Sequence, residues 1–169
     1  MLTFERKSWS VTPAAVLAGV DEAGRGCLAG PVVAGAVSMP PGLAERRYAG
    51  ELSELTDSKQ LTAARREHFF GILSVTAGVA LSTGWCSAKE IDRLNILAAT
   101  HLAMRRALEA LPVKPEHVLV DGLPVKGLPC PSTAIVQGDA KSFLIAAASV
   151  VAKVSRDREM AELDALYPG

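Results

Sequence analysis

Short apolar runs, each closed off by a glycine, a proline or an acid, set the limits on what this chain can fold into. They are Ala15–Val20, Pro31–Ser38 (PVVAGAVS), Thr76–Thr83 (TAGVALST), His117–Asp121 (HVLVD) and Thr133–Gln137 (TAIVQ), all of the length and type of buried strands. Longer helical patterns lie between and after them. Leu61–Leu73 has Thr62 placed to cap it. Ala88–Leu111 opens on a capping box, Ser87 with Glu90, and carries Ile91, Leu94, Leu97, Leu102, Leu108 and Leu111 at broadly helical spacing before Pro112 and Pro115 stop it. A last helix is expected from about Lys141 through Ala165. Strands and helices in this order predict an α/β domain on a mixed sheet.

At 169 residues, 49% hydrophobic and 21% charged, the chain is expected to form one domain with a core of its own. Its 18 basic and 18 acidic residues cancel, so no overall positive field draws in a polyanion. A nucleic-acid partner would have to be held by local basic clusters and metal ions. Cys27, Cys86 and Cys130 are odd in number and far apart, with neither zinc spacing nor a disulfide framework, which suits a reducing cytoplasm. Cys27–Ala44 lacks charge, but Pro31, Pro40 and Pro41 interrupt it, so no membrane span is expected. The opening MLTFERKSWSVTPAAVLAG resembles a signal peptide only faintly. Glu5, and an apolar region broken by Pro13, argue against export.

Acids collect where the apolar runs stop. Asp21 and Glu22 follow the first, Asp121 ends the fourth, and Asp139 follows the fifth, each beside or close to a glycine. Ligands of open α/β sheets lie outside strand ends, so distant segments can converge there. Clustered carboxylates resist ionising without a counter-charge, and hard divalent ions such as Mg²⁺ and Mn²⁺ supply one through oxygen ligands. Two such ions roughly 4 Å apart can hold both the attacking water and the leaving oxygen of a phosphodiester. A lone strand-end aspartate is more often a turn residue or a helix cap. The pair Asp21-Glu22, set ahead of Gly24-Arg25-Gly26, is harder to explain in that way.

A dinucleotide-binding reading also exists, because Gly24, Gly26 and Gly30 follow a strand and Glu45 lies where a ribose-binding acid could stand. Against it, Pro31 and the valines that follow predict a strand where that motif needs a helix. Acids ahead of the glycines would also repel a pyrophosphate.

The stretches GVDEAGRGCLAGPVVAGAV, DSKQLTAARRE, EIDRLNILAAT, VLVDGLPV and QGDAKSFLIAAASVVAKVSRDREM, in this order from about Ala18 onward, closely resemble the bacterial ribonuclease HII family. The resemblance implies a ribonuclease H-like fold, a central mixed five-stranded sheet flanked by helices. It also implies endonucleolytic cutting of RNA in RNA–DNA hybrids, and nicking 5′ to single ribonucleotides embedded in duplex DNA. Mn²⁺ or Mg²⁺ is the implied cofactor, bound by Asp21, Glu22, Asp121 and Asp139, and a monomer acting on nucleic acid in the cytoplasm is expected. Gly24, Arg25 and Gly26 match the segment that senses the ribose 2′-hydroxyl, the group that distinguishes RNA from DNA. Lys59, in Asp57-Ser58-Lys59, matches a phosphate contact. Lys153, Arg156 and Arg158 fit either a phosphate-binding row or a solvated helix face on which Lys153 pairs with Asp157. His68, His101 and His117 receive no role.

The chain departs from the family pattern in two places. Cys27 stands where a proline usually follows Gly26. The family's chains also normally continue past the equivalent of 165–169 into a helical portion with a tyrosine near the ribonucleotide. The expectation is therefore one catalytic domain over 1–169 without that portion. A second reading, a weakly active or inactive nucleic-acid-binding fragment, rests on the same difference.

Overall fold

Stretches rich in valine and alanine form the interior of a five-stranded sheet in the computed structural model, which describes residues 1–167. The strands are β1 (Leu17–Ala23), β2 (Val32–Ser38), β3 (Ala80–Cys86), β4 (His117–Asp121) and β5 (Ser132–Ile135), in the order β3-β2-β1-β4-β5. β1, β2 and β3 pair antiparallel, whereas β1, β4 and β5 run parallel, giving the mixed sheet expected from the sequence. The helices are α1 (Thr3–Val11), α2 (Pro41–Tyr48), α3 (Ala63–Val75), α4 (Ala88–Leu94), α5 (Ile96–Glu109) and α6 (Phe143–Leu166).

Helices cover both faces of the sheet. On one side α6 packs on β1 and β2, with Leu17, Phe69, Leu73, Phe143, Leu144 and Val151 in the core. On the other, α5 packs on β3, β2 and β1 around Ala18, Val20, Ala103, Ala107 and Val118. The two layers sit close because glycine faces each helix. A Cβ on Gly35 would overlap the Ala148 carbonyl of α6, and one on Gly84 the Ala103 carbonyl of α5. Among the described residues no helix is long and apolar enough to cross a membrane.

Several boundaries differ from the sequence reading. β1 runs to Ala23, so Asp21 and Glu22 are strand residues that pair with Gly35 and Ala34 of β2. β3 starts at Ala80, because Thr76 closes α3 through its amide and hydroxyl, both donating to the Ile72 carbonyl. β5 ends at Ile135, with Gln137 already left-handed at φ 56. The expected helix Ala88–Leu111 is two helices. Asn95, at φ 68, donates its amide to Ile91 at the end of α4 and accepts from the Ala98 amide at the start of α5.

The first turn of the chain is helical as well. α1 buries Trp9 and Glu5 against the sheet layer. Glu5 is fully buried, and its Oε1 accepts from the Ser142 hydroxyl at 2.6 Å and the Leu144 amide at 3.0 Å. Its carboxylate thus lies on the exposed amides that open α6, where the helix dipole favours negative charge. Burial raises its pKa, while those hydrogen bonds act in the opposite direction.

Candidate active site

Parallel pairing places two acids side by side. The β1–β4 register matches Val20 with Val120, so the next residues, Asp21 and Asp121, stand together where the pairing of the two strands ends. β5 ends beside them, with Ile135 paired to Asp121, and a short 3-10 turn (Gly138–Ala140) then brings Asp139 back to the same edge. The Gly138 amide donates to Asp121 Oδ1 at 2.6 Å, which joins the turn to the strand. The result is that Asp21, Asp121 and Asp139 each present an oxygen within 4.8 Å of the others.

Glu22 approaches differently. Side chains alternate along a strand, and the buried residues of β1 show which way each one points. Leu17 packs toward α6, whereas Ala18 and Val20 pack toward α5. Glu22 follows the second set and lines a cavity on the α5 side, together with Asp121. It is therefore outside the three-acid group, although its charge still acts on Asp21.

The electrostatics are those of a site that wants cations. Burial pushes the Asp21 carboxyl well above its ordinary range, and Glu22 and Asp121 add to the effect. Glu22 is raised chiefly by burial, with Arg25 opposing. Asp139 is raised to about 6 by burial, then by Asp121 and Asp57, with Lys59 acting the other way. An all-oxygen donor set in which like charges oppose one another's ionisation fits a hard divalent ion.

The sequence reading gave Asp57 no role of its own. It caps the 3-10 turn Ser58–Gln60, accepting from the Lys59 amide at 2.9 Å, and its carboxylate lies beside Asp139. Lys59 is exposed, near enough to Glu22 and Asp139 to favour their charged forms.

Gly24, Arg25 and Gly26 form a turn at the end of β1, closed by the Cys27 amide donating to the Gly24 carbonyl at 3.2 Å. A proline at residue 27 could not make that bond. Gly24 has φ 102, and a Cβ there would strike Arg156 and the Pro31 carbonyl, whereas the space around Gly26 is open. Arg25 Nη1 lies 3.6 Å from Glu22 Oε1.

Arg156 does not form a phosphate row with its neighbours. It is buried, donating from Nε to the Pro31 carbonyl at 3.0 Å and from Nη2 to the Ala29 carbonyl at 2.9 Å. Lys153 pairs with Asp157, and Arg158 with Glu67. The dinucleotide reading is overturned: Gly30 leads into β2 and not into a helix, and Glu45 pairs with Arg6.

Residues 18–169 match the ribonuclease HII family. The ribonuclease HII of Moorella thermoacetica is 52% identical over 153 residues, covering 90% of this chain and 70% of that protein. Ribonuclease H2 from Pyrococcus horikoshii OT3 superposes with a TM-score of 0.74 at 32% identity, over 90% of this chain and 77% of that one. A more distant structure, Bst-RNase HIII in complex with Mn²⁺, shares the fold with a TM-score of 0.73 at 19% identity, over 90% of this chain and 55% of that one.

Proposed function

The chain belongs to the ribonuclease HII family, and from that premise we propose that it is an endonuclease that hydrolyses RNA within RNA–DNA hybrids and nicks duplex DNA 5′ to a single ribonucleotide. It is a ribonuclease H-type hydrolase. The observation that carries the reading is the convergence of Asp21, Asp121 and Asp139 within 4.8 Å at the ends of β1 and β4 and beyond β5.

These residues would hold divalent ions, with Glu22 completing the set from the other face of β1. Mn²⁺ or Mg²⁺ suits the oxygen donors, and the Mn²⁺ complex of the related ribonuclease HIII supports the first. When bound as a pair, such ions supply an activated water and stabilise the leaving oxygen. The chain's own residues do the rest. Asp121 is fixed by the Gly138 amide, and Asp21 Oδ1 accepts from the Glu22 amide at 2.7 Å, so both carboxylates are oriented before substrate arrives. Lys59 stands over the acids as a phosphate contact. The open backbone at Gly26, in a turn that Arg156 flanks at Gly24, receives the ribose 2′-hydroxyl.

The test is a labelled DNA duplex carrying one ribonucleotide, incubated with and without Mn²⁺. The expected product is a nick 5′ to the ribonucleotide, leaving 3′-hydroxyl and 5′-phosphate ends, only when Mn²⁺ is present. Binding without cleavage at any Mn²⁺ concentration would overturn it.

A further inference from the structure

On the α5 side of β1, next to the acids but not part of them, lies an open cavity of about 230 Å³. Glu22, Arg25 and Asp121 line it together with Leu97, His101 and Lys126. A second cavity of about 270 Å³ continues outward from the same His101 and Lys126 to Arg105. The guanidinium of Arg105 reaches the loop after β4, with Nη1 3.9 Å from where a Cβ on Gly127 would stand. The two cavities therefore make one groove, bounded by α5 and the 122–128 loop. Its basic side chains follow one another outward from the acids: Arg25, His101, Lys126, Arg105.

These side chains have few and distant anionic partners. Among the described residues His101 and Lys126 have no ion-pair or hydrogen-bond partner, Arg25 has only the distant Glu22, and Arg105 reaches Glu109 at 3.9 Å. Burial and the nearby charges of Arg25 and Lys126 disfavour a proton on the His101 ring, and a phosphate seated between these side chains would act the other way. In a chain with no net charge, four basic side chains leading away from an acidic centre form a local field for a polyanion.

We infer that this groove carries the sugar–phosphate backbone of the cut strand away from the scissile phosphate, with Arg25 and His101 facing the first phosphate beyond it and Lys126 and Arg105 the next. Leu97, 49% exposed, offers the sugar an apolar contact. This inference rests on the proposed function, because the groove starts at Glu22 and Asp121.

The experiment measures equilibrium binding of the whole chain to the ribonucleotide-containing duplex by fluorescence anisotropy, in Ca²⁺ to hold substrate uncut, across a salt series. Lys126→Gln, Arg105→Gln and His101→Gln are compared with wild type and with Lys114→Gln, an exposed residue before β4 at the far end of the sheet. Each lost phosphate contact lowers the slope of log affinity against log salt by about 0.9. Over a fourfold rise in salt, wild type should thus lose about threefold more affinity than Lys126→Gln, while Lys114→Gln follows wild type. A neutral methylphosphonate placed phosphate by phosphate then locates the contact. At one position in the cut strand it should weaken wild type and leave Lys126→Gln unaffected.

Wild-type slope and affinity in Lys126→Gln and His101→Gln overturn the groove, as does a matching position found only in the uncut strand. If those variants bind like wild type while wild type still nicks with Mn²⁺, the groove alone fails. If wild type neither binds nor cuts the duplex, the functional reading fails with it.

Discussion

The backbone amide of Gly138 donates to Asp121 Oδ1 at 2.6 Å, so the residue preceding one acid of the site orients another acid, 17 residues earlier in the chain. A Cβ on Gly138 would stand 3.2 Å from that oxygen and against the end of Ile145. Gly138→Ala should therefore displace Asp121 and lower kcat by about tenfold or more with Mn²⁺ present, since small misplacements of catalytic groups are costly. Steady-state nicking assays at saturating duplex check it.

Asp21→Asn removes the most deeply buried acid of the three. Nicking should fall to background. The metal-free fold should be no less stable than wild type, because a carboxyl raised by burial and like charge is an unfavourable component of the folded state. Thermal unfolding by circular dichroism and the nicking assay together test this, and normal cutting by Asp21→Asn would refute the assignment.

The acids also predict a dependence on pH. Asp139 keeps its proton in the folded chain up to about 6, whereas its ordinary value is 3.8. Between those values the folded state binds more protons than the unfolded, so stability declines as pH rises through the window. Asp21, Glu22 and Glu5 are also raised and act with the same sign. Glu90, held at about 2 by Arg106 and the Ser87 amide, changes only at more acidic pH. Metal-free protein should melt lower at pH 7 than at pH 5. Mn²⁺ should raise the melting temperature at pH 7 and do little at pH 5, because it binds the deprotonated site.

Arg156→Met keeps the bulk on α6 and leaves the Ala29 and Pro31 carbonyls without their donor. The expected loss is about 2 kcal/mol of stability, read from urea unfolding. The turn at Gly24–Gly26 rests on the same guanidinium, so KM for ribonucleotide-containing duplex should rise as well.

Glu5→Ala strips the caps from the Ser142 hydroxyl and the Leu144 amide in a fully buried position. Two donors left unsatisfied should cost about 2 kcal/mol or more in urea unfolding. Glu5→Gln keeps one accepting oxygen and should cost less.

The strands and the acids could be read from the sequence because both obey local rules. Apolar runs stop close to where the chain leaves the sheet, and Asp21, Asp121 and Asp139 stand at or just past those stops. The face on which Glu22 emerges could not be read, because a three-residue error in the end of β1 hides the alternation. Asn95 gave no warning of a helix break, since a single asparagine at positive φ looks like any polar surface residue within the 88–111 pattern. Asp57 received no role of its own in the sequence reading, and its closeness to Asp139 comes only from the fold. Arg156 was a different matter. Ile145, Ser149, Ala152 and Arg156 recur at helical spacing on the buried side of α6, and that period could have marked it as an interior cation.

The helix that carries Arg156 begins one turn after Asp139, and its far half supports the Gly24–Gly26 loop. A rod of 24 residues, about 36 Å long, thus ties the Asp139 turn and the Gly24–Gly26 turn to one element. Shifting it along its axis would carry both turns together, so segments far apart in the chain keep one spacing.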